Sequence, residues 1–329
     1  GFVKGPFDNL DGNITFKLSN GTLAQRDYDV TLEDINTSGT VQFGKKQELA
    51  IPAFKASLNE KPLALTLNLT DYKNPYINLT ANGNLNLDKV GKLANIKQKL
   101  EGTAQVDVNY KGLVSELKSG KNSDKWEGEG TIVLADAGVF NKDESKILSN
   151  MNGKFNVKSN RLSIQNLKGI LTNSPFQFSG DIFPIATYLF TESTDLAVNG
   201  KLTARHINYE KLSYIMVDET SSSKKKEETF AIPNNIKLNL NVDLDTFTHE
   251  KFIGKNLSGK VLMANGLLKL NNIFIQFHEG TLAGNLAVRQ EGNGNFIPVG
   301  YFNCNQVSIQ KLFYAFENFS QNEITGDNL

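Results

Sequence analysis

Ile236-Lys-Leu-Asn-Leu-Asn-Val-Asp-Leu-Asp245 decides the fold. Ile236, Leu238, Leu240, Val242 and Leu244 are apolar, and Lys237, Asn239, Asn241, Asp243 and Asp245 between them are polar or charged. Alternate side chains of a strand point to opposite faces, so a period of two makes this a strand with one apolar and one wet face. A glycine-punctuated run follows: Leu257-Ser-Gly-Lys-Val261, Gly266-Leu-Leu-Lys-Leu270 and Gly280-Thr-Leu-Ala-Gly-Asn-Leu286. An amphipathic helix from Ser308 then completes the stretch.

The same plan is repeated upstream. Leu10-Asp-Gly-Asn-Ile14, Met151-Asn-Gly-Lys-Phe155 and Leu257-Ser-Gly-Lys-Val261 all read apolar, polar, Gly, polar, apolar. Leu162 matches Leu268 and Ile164 matches Leu270, both 106 residues apart, which is what two copies of one unit give. Aligning Gly12 with Gly153 and Gly39 with Gly180 leaves extra residues in the first copy near Ala53 to Asn74, so an extra hairpin carrying Leu63, Leu65, Leu67 and Leu69 is expected there. Asn-Gly steps at 20–21, 82–83, 152–153, 199–200 and 265–266 read as turns between short strands. Each copy ends in a short capped helix, with Asp88, Asn208 and Ser308 as expected N-caps. Tyr209, Leu212 and Met216 form the apolar stripe of the second helix. Ile309, Leu312, Phe313, Phe316 and Phe319 form that of the third. Residues 112–122 read as a loop. The expected organisation is a degenerate first repeat over 1–150, a second over 151–219, a flexible loop at 220–229 and a third repeat, truncated at its end, over 230–329.

Composition narrows the function classes. Lys+Arg 35 against Asp+Glu 35 gives a formal net charge of +0, which removes the electrostatic case for nucleic acid as a partner. Cys304, the only cysteine, shares an alternating run with Phe302 and is expected to be a packed thiol. There is no run of about 20 apolar residues and no signal-peptide pattern. The chain starts inside strand-like sequence and ends at Ile324-Thr-Gly-Asp-Asn-Leu329, which reads as another strand beginning, so it reads as an excised segment.

Catalytic patterns are missing from the sequence. His206, His249 and His278 are far apart and lack zinc-ligand spacing. Asp243 and Asp245 lie on the wet face of a strand without a loop of oxygen ligands. The glycine spacings match neither a phosphate loop nor a dinucleotide fingerprint, and Trp126 alone makes no stacking platform. A non-enzymatic protein without cofactor or metal is therefore expected.

An apolar strand face is buried either by a second sheet or by lining a groove that something else fills. Repetition in units of about one hundred residues favours the second solution, an elongated, curved, mostly antiparallel sheet with short helices at repeat ends. The expected lining is Ile236, Leu238, Leu240, Val242, Leu244, Leu268, Leu270 and Leu286. A structural or glycan- or protein-binding β-sandwich module of the cell envelope is the alternative.

The order Leu257 to Ile273, then Gly280-Thr-Leu-Ala-Gly-Asn-Leu286, then Gln306-Val-Ser-Ile-Gln-Lys-Leu312 resembles the C-terminal region of AsmA-like proteins of Gram-negative bacteria, best over 236–319. The resemblance implies a periplasmic protein of outer-membrane biogenesis, held to the inner membrane by an N-terminal helix that this sequence does not contain. Larger relatives, TamB and YhdP, are similar to bridge-like lipid-transfer proteins, so phospholipids or other acyl-chain lipids are the implied partners.

Overall fold

In the computed structural model of the protein the described residues are 2–4, 11–25, 30–93, 98–119, 126–140, 146–190, 195–211, 232, 234–291 and 295–320. The expected loop at 220–229 and the positions of Leu212 and Met216 lie outside them. The protein is mainly β, of mostly antiparallel sheet with a few short helices.

Strand β1 spans Phe2–Lys4. A first set of five strands follows: β2 (Asp11–Gln25), β3 (Val30–Phe43), β4 (Glu48–Leu58), β5 (Lys61–Thr70) and β6 (Tyr76–Asn86), ending in helix α1 (Leu87–Leu93). After β7 (Leu100–Leu113) and α2 (Val114–Ser119) comes a second set of five. It comprises β8 (Glu127–Phe140), β9 (Lys146–Lys158), β10 (Arg161–Leu171), β11 (Ser174–Phe183) and, after α3 (Ile185–Phe190), β12 (Leu196–Asn208), with a helical turn at 209–211. The third set is β13 (Ile236–His249), β14 (Phe252–Ala264), β15 (Leu267–Phe277), β16 (Gly280–Gln290) and β17 (Phe296–Asn305), ending in α4 (Ile309–Ala315) and a 3₁₀ turn at Glu317–Ser320.

Three sets of five strands plus a helix are the repeat. Both bounds of β9 and of β10 recur 106 residues later in β14 and β15, as the sequence spacing predicts. The first repeat is organised differently from the expectation. Its β4 and β5 start 219 residues before β15 and β16, so the hairpin that holds Leu63 to Leu69 is a regular member of the set, and β7 with α2 is the addition. Gly12, on a first strand, is not the counterpart of Gly153, on a second one. The true counterparts are Asp34-Ile-Asn36, Asn150-Met-Asn152 and Asn256-Leu-Ser258. Each begins with a residue at φ near 50° and marks a bulge or irregularity in the second strand of its set. An Asn or Asp at such a position accepts the left-handed backbone at low cost and sharpens the local twist.

Of the Asn-Gly steps among the described residues, only Asn265-Gly266 is a turn, with both residues at positive φ (52° and 69°) as a two-residue hairpin requires. The steps at 82–83, 152–153 and 199–200 lie inside β6, β9 and β12, and Asn20-Gly21 lies within β2 at a register shift. At Gly83 a side chain would run into the Pro62 carbonyl and Leu63, so glycine there serves close approach of neighbouring strands. Several real turns carry no glycine: Asn59-Glu60 and Thr172-Asn173 adopt positive φ at both residues.

Contacts divide the chain into two compact units, Gly1–Leu167 with Ile182–Thr194, and Lys168–Asp181 with Asp195–Leu329. In the first, β2 to β9 pair antiparallel in chain order, and β1 pairs with Asp11–Asn13 of β2. In the second, β12 and β13 pair in parallel, and β13 to β17 pair antiparallel in order. A parallel pair needs a long crossover, and residues 209–235 supply it.

The helix ends follow from capping. Ser308 accepts from the Lys311 N–H at 3.3 Å and Asn208 from the Lys211 N–H at 2.8 Å, as expected. In the first repeat the cap is Asn86, which accepts from Asp88 and Lys89, rather than Asp88 itself. The expected loop at 112–122 contains α2, too short to show a helical period, and α3 had no sequence signal. The Thr187 N–H in α3 donates to Asn160 Oδ1 and its hydroxyl accepts from Asn160 Nδ2 at 2.6 Å, both residues being buried.

Candidate functional site

In the second unit the alternation of β13 decides which residues share its apolar face, and the pairing registers carry that face across the strands. Leu238 lies beside Met263, then Leu268, Val288 and Pro298. Leu240 continues into Val261, Leu270, Leu286 and Gly300. On the other side the parallel register sets Leu196 beside Ile236 and Val198 beside Leu238. All eight residues expected to line the face (Ile236, Leu238, Leu240, Val242, Leu244, Leu268, Leu270 and Leu286) therefore stand on one side of one sheet.

They are not equally covered. Val242 and Leu244 are buried, at 7% and 8% exposure, and belong to ordinary core: Leu244 packs with Ala204 and Ile207. The other six are half-buried. Along the strands the face is closed at one end by α4, where Ala315 and Leu312 meet Phe252, Ile275, Phe277 and Leu282. Near the other end Ile232 is buried, and its N–H donates to Gln290 Oε1 at 2.8 Å. Between them Leu240, Val261, Leu270 and Leu286 form a row that, among the described residues of this unit, no second layer of sheet covers. Val261 and Met263 escaped the sequence reading because Val261, Leu262 and Met263 are contiguous apolar residues, which hides the period of two. Leu262 falls on the polar side, between Asn239 and Lys269.

The first unit has a face of the same kind. Leu63, Leu65, Leu67 and Leu69 of β5 are half-buried and stand beside Gly83, Ala81, Leu79 and Ile77 of β6. Ala81 and Gly83 in turn lie beside Val108 and Val106 of β7. A leucine row read from sequence as part of an added hairpin is thus a second apolar face.

The opposite faces are polar and internally paired. Lys201 meets Asp243 at 2.6 Å and Lys237 meets Asp195 at 2.7 Å, each partner about half exposed, and Thr66 bonds Thr80 across β5 and β6. Exposed pairs of this kind contribute at most about 1 kcal/mol. A hollow of about 450 Å³ in the second unit has a mixed lining, with Lys168, Gln177, Thr203, Arg205, Asp243 and Asp245 beside Pro175, Phe176 and Ala204.

The histidines do not converge. His206 bonds Thr248 at 3.0 Å, His278 occupies a strand turn with its ring edge-on to Phe277, and His249 Nδ1 lies 2.8 Å from Glu210. Burial alone would raise the Glu210 carboxyl, but hydrogen bonds from His249 and from backbone N–H groups outweigh it and hold the group below its ordinary range. Among the described residues no three His, Cys, Asp or Glu side chains gather into a metal site. Cys304 is exposed rather than packed, on a strand whose residues are nearly all exposed. Trp126 is buried against Tyr110 and donates to the Leu113 carbonyl at 2.7 Å.

No family model, no curated protein and no solved structure matches the chain.

Proposed function

We propose that the chain handles lipid without chemistry, its apolar strand faces giving the acyl chains of phospholipids a dry surface. The observation that carries the reading is the half-buried row Leu240, Val261, Leu270 and Leu286, which no second layer of sheet covers among the described residues of its unit. The Leu63 to Leu69 row of the first unit adds to it.

Energetics fit a conduit better than a store. Each methylene taken from water is worth about 0.8 kcal/mol, so about ten of them bring about 8 kcal/mol against water. A bilayer offers the same methylenes nearly the same environment, so transfer from membrane to protein face is close to neutral and reversible. Assignment to the AsmA-like group, residence in the periplasm and anchoring at the inner membrane belong to the same proposal and rest on the resemblance of residues 236–319. No helix among the described residues is long and apolar enough to cross a membrane.

A photocrosslinking side chain at Leu238 is expected to capture lipid, and Leu240→Asp to reduce that capture about tenfold or more, since an unpaired charge on an apolar surface costs several kcal/mol. Crosslinks confined to a probe at Asn239, on the polar face, would sink the reading. Mass spectrometry of an organic extract of the purified protein identifies the lipid.

A further inference from the structure

The polar face of the second unit carries the hollow of about 450 Å³, and every residue that lines it belongs to that unit. Its floor is a row across four strands. The turn Thr172-Asn173, with both residues at positive φ, folds β10 back on β11 and sets Lys168 opposite Gln177. The His206 N–H donates to Ser174 Oγ and Gly180 lies against Gly200, which sets Gln177 beside Thr203. Thr203 pairs with Asp243 in the parallel ladder. Arg205 and Asp245 stand two residues further along, between the pairs Ala204–Leu244 and His206–Thr246.

Phe176 and Ala204 also border the hollow, but their side chains turn the other way, into the cluster with Ile207 and Leu244. That cluster buries both Ala204 and Ile207, three residues apart, which a strict period of two would put on opposite faces. Such an interruption bends a strand, and the hollow lies over it.

Charge in the hollow is only partly neutralised. Asp243 is taken by Lys201 at 2.6 Å. Lys168, Arg205 and Asp245, all exposed, make no ion pair among the described residues, and Arg205 and Asp245 stay apart although they are neighbours. With strands about 4.8 Å apart, the Lys168 and Arg205 backbones are about 12 Å from each other, a span that two long side chains close over Gln177. An oxyanion there meets two cations, the Gln177 amide and the Thr203 hydroxyl, and Asp245 beside Arg205 offers a carboxylate to an ammonium group a few bonds away.

Two cations and one carboxylate match a ligand that is itself zwitterionic. We propose that the hollow binds a phosphate ester carrying a primary ammonium group, of the phosphoethanolamine type, with the phosphate on Lys168 and Arg205 and the ammonium on Asp245. The guanidinium of Arg205 offers the phosphate a bidentate fork and Lys168 a point charge. The inference rests on the polar face and is independent of what the apolar faces hold.

Calorimetric titration of the 329-residue chain with phosphoethanolamine is expected to give a dissociation constant on the order of millimolar, the strength that exposed charge contacts supply. Arg205→Gln should weaken it about tenfold. Asp245→Asn should weaken phosphoethanolamine about threefold or more and leave inorganic phosphate as well bound as before, because it removes the partner of the ammonium alone. Lys154→Gln, an exposed charge of the other unit, should change neither. Circular dichroism checks that the variants fold, and Lys168→Gln replaces Arg205→Gln if the latter does not. Vesicles of phosphatidylcholine with and without phosphatidylethanolamine separate two sources of the ligand. Tighter binding to the mixed vesicles, lost in Asp245→Asn, makes it a lipid head group, and equal binding to both makes it a soluble ester. Absence of binding up to tens of millimolar phosphoethanolamine overturns the proposal, as does an equal loss from Lys154→Gln. It is also overturned if Asp245→Asn weakens inorganic phosphate as much as phosphoethanolamine.

Discussion

Among the described residues Phe277 and Thr187 are the largest side chains buried completely, each 1% exposed, and they hold different things. Phe277 stacks on Phe252 with ring centres 4.9 Å apart and planes 6° from parallel, in the cluster that seats α4. Phe277→Ala is expected to cost about 3–5 kcal/mol in urea unfolding, the range for a buried phenylalanine whose cavity cannot collapse. Thr187 is polar, and its burial is tolerated because Asn160 satisfies both its N–H and its hydroxyl. Asn160→Ala strands those groups and is expected to cost about 1–3 kcal/mol. Adding Thr187→Val should cost less than the sum of the two single changes, as a double-mutant cycle would read it.

At the scale of elements, turns and helices are set by backbone chemistry, while the faces they present are set by neighbours. At Gly266 a side chain would make only ordinary contacts, with Asn234 and the Gln290 carbonyl, so Gly266→Ala is charged chiefly for its left-handed backbone, about 1–2 kcal/mol. At Gly259 a side chain would collide with Ile273, so Gly259→Val should lose more than Gly266→Ala in the same denaturant series. Helix α4 docks through Leu312 and Ala315, whereas Ile309, expected on its apolar stripe, is 57% exposed and Phe316 is only partly covered at 36%. The helix, Ile309–Ala315, is shorter than the stripe drawn through Phe319.

For the molecule as a whole, two features combine: formal charge balance and an apolar face in each unit that is only half covered. Folded, lipid-free protein should therefore bind a hydrophobic fluorophore while keeping its near-ultraviolet dichroism, and added phospholipid should displace the dye. Binding to vesicles should change little between low and physiological salt, because no net charge steers the chain to a headgroup. A steep loss of binding with salt would mean that the lysines, and not the leucines, make the contact.

The period of two from Ile236 to Asp245 was enough to establish a strand with one apolar face, and the 106-residue spacing was enough to establish a repeat, because both are written in local order. The strand-by-strand content of that repeat was not legible. Its register is carried by single bulge residues such as Asp34, Asn150 and Asn256, whose left-handed backbone follows from how adjacent strands pair and not from residue type alone. Asn82-Gly83 and Asn265-Gly266 look alike in sequence, yet one lies inside a strand pressed by Leu63 and the other turns a hairpin. Whether a strand face is core or open surface depends on what is laid over it. Leu244 and Leu240 stand four residues apart on one face of β13, and only the placement of neighbouring side chains makes the first core and leaves the second half-covered.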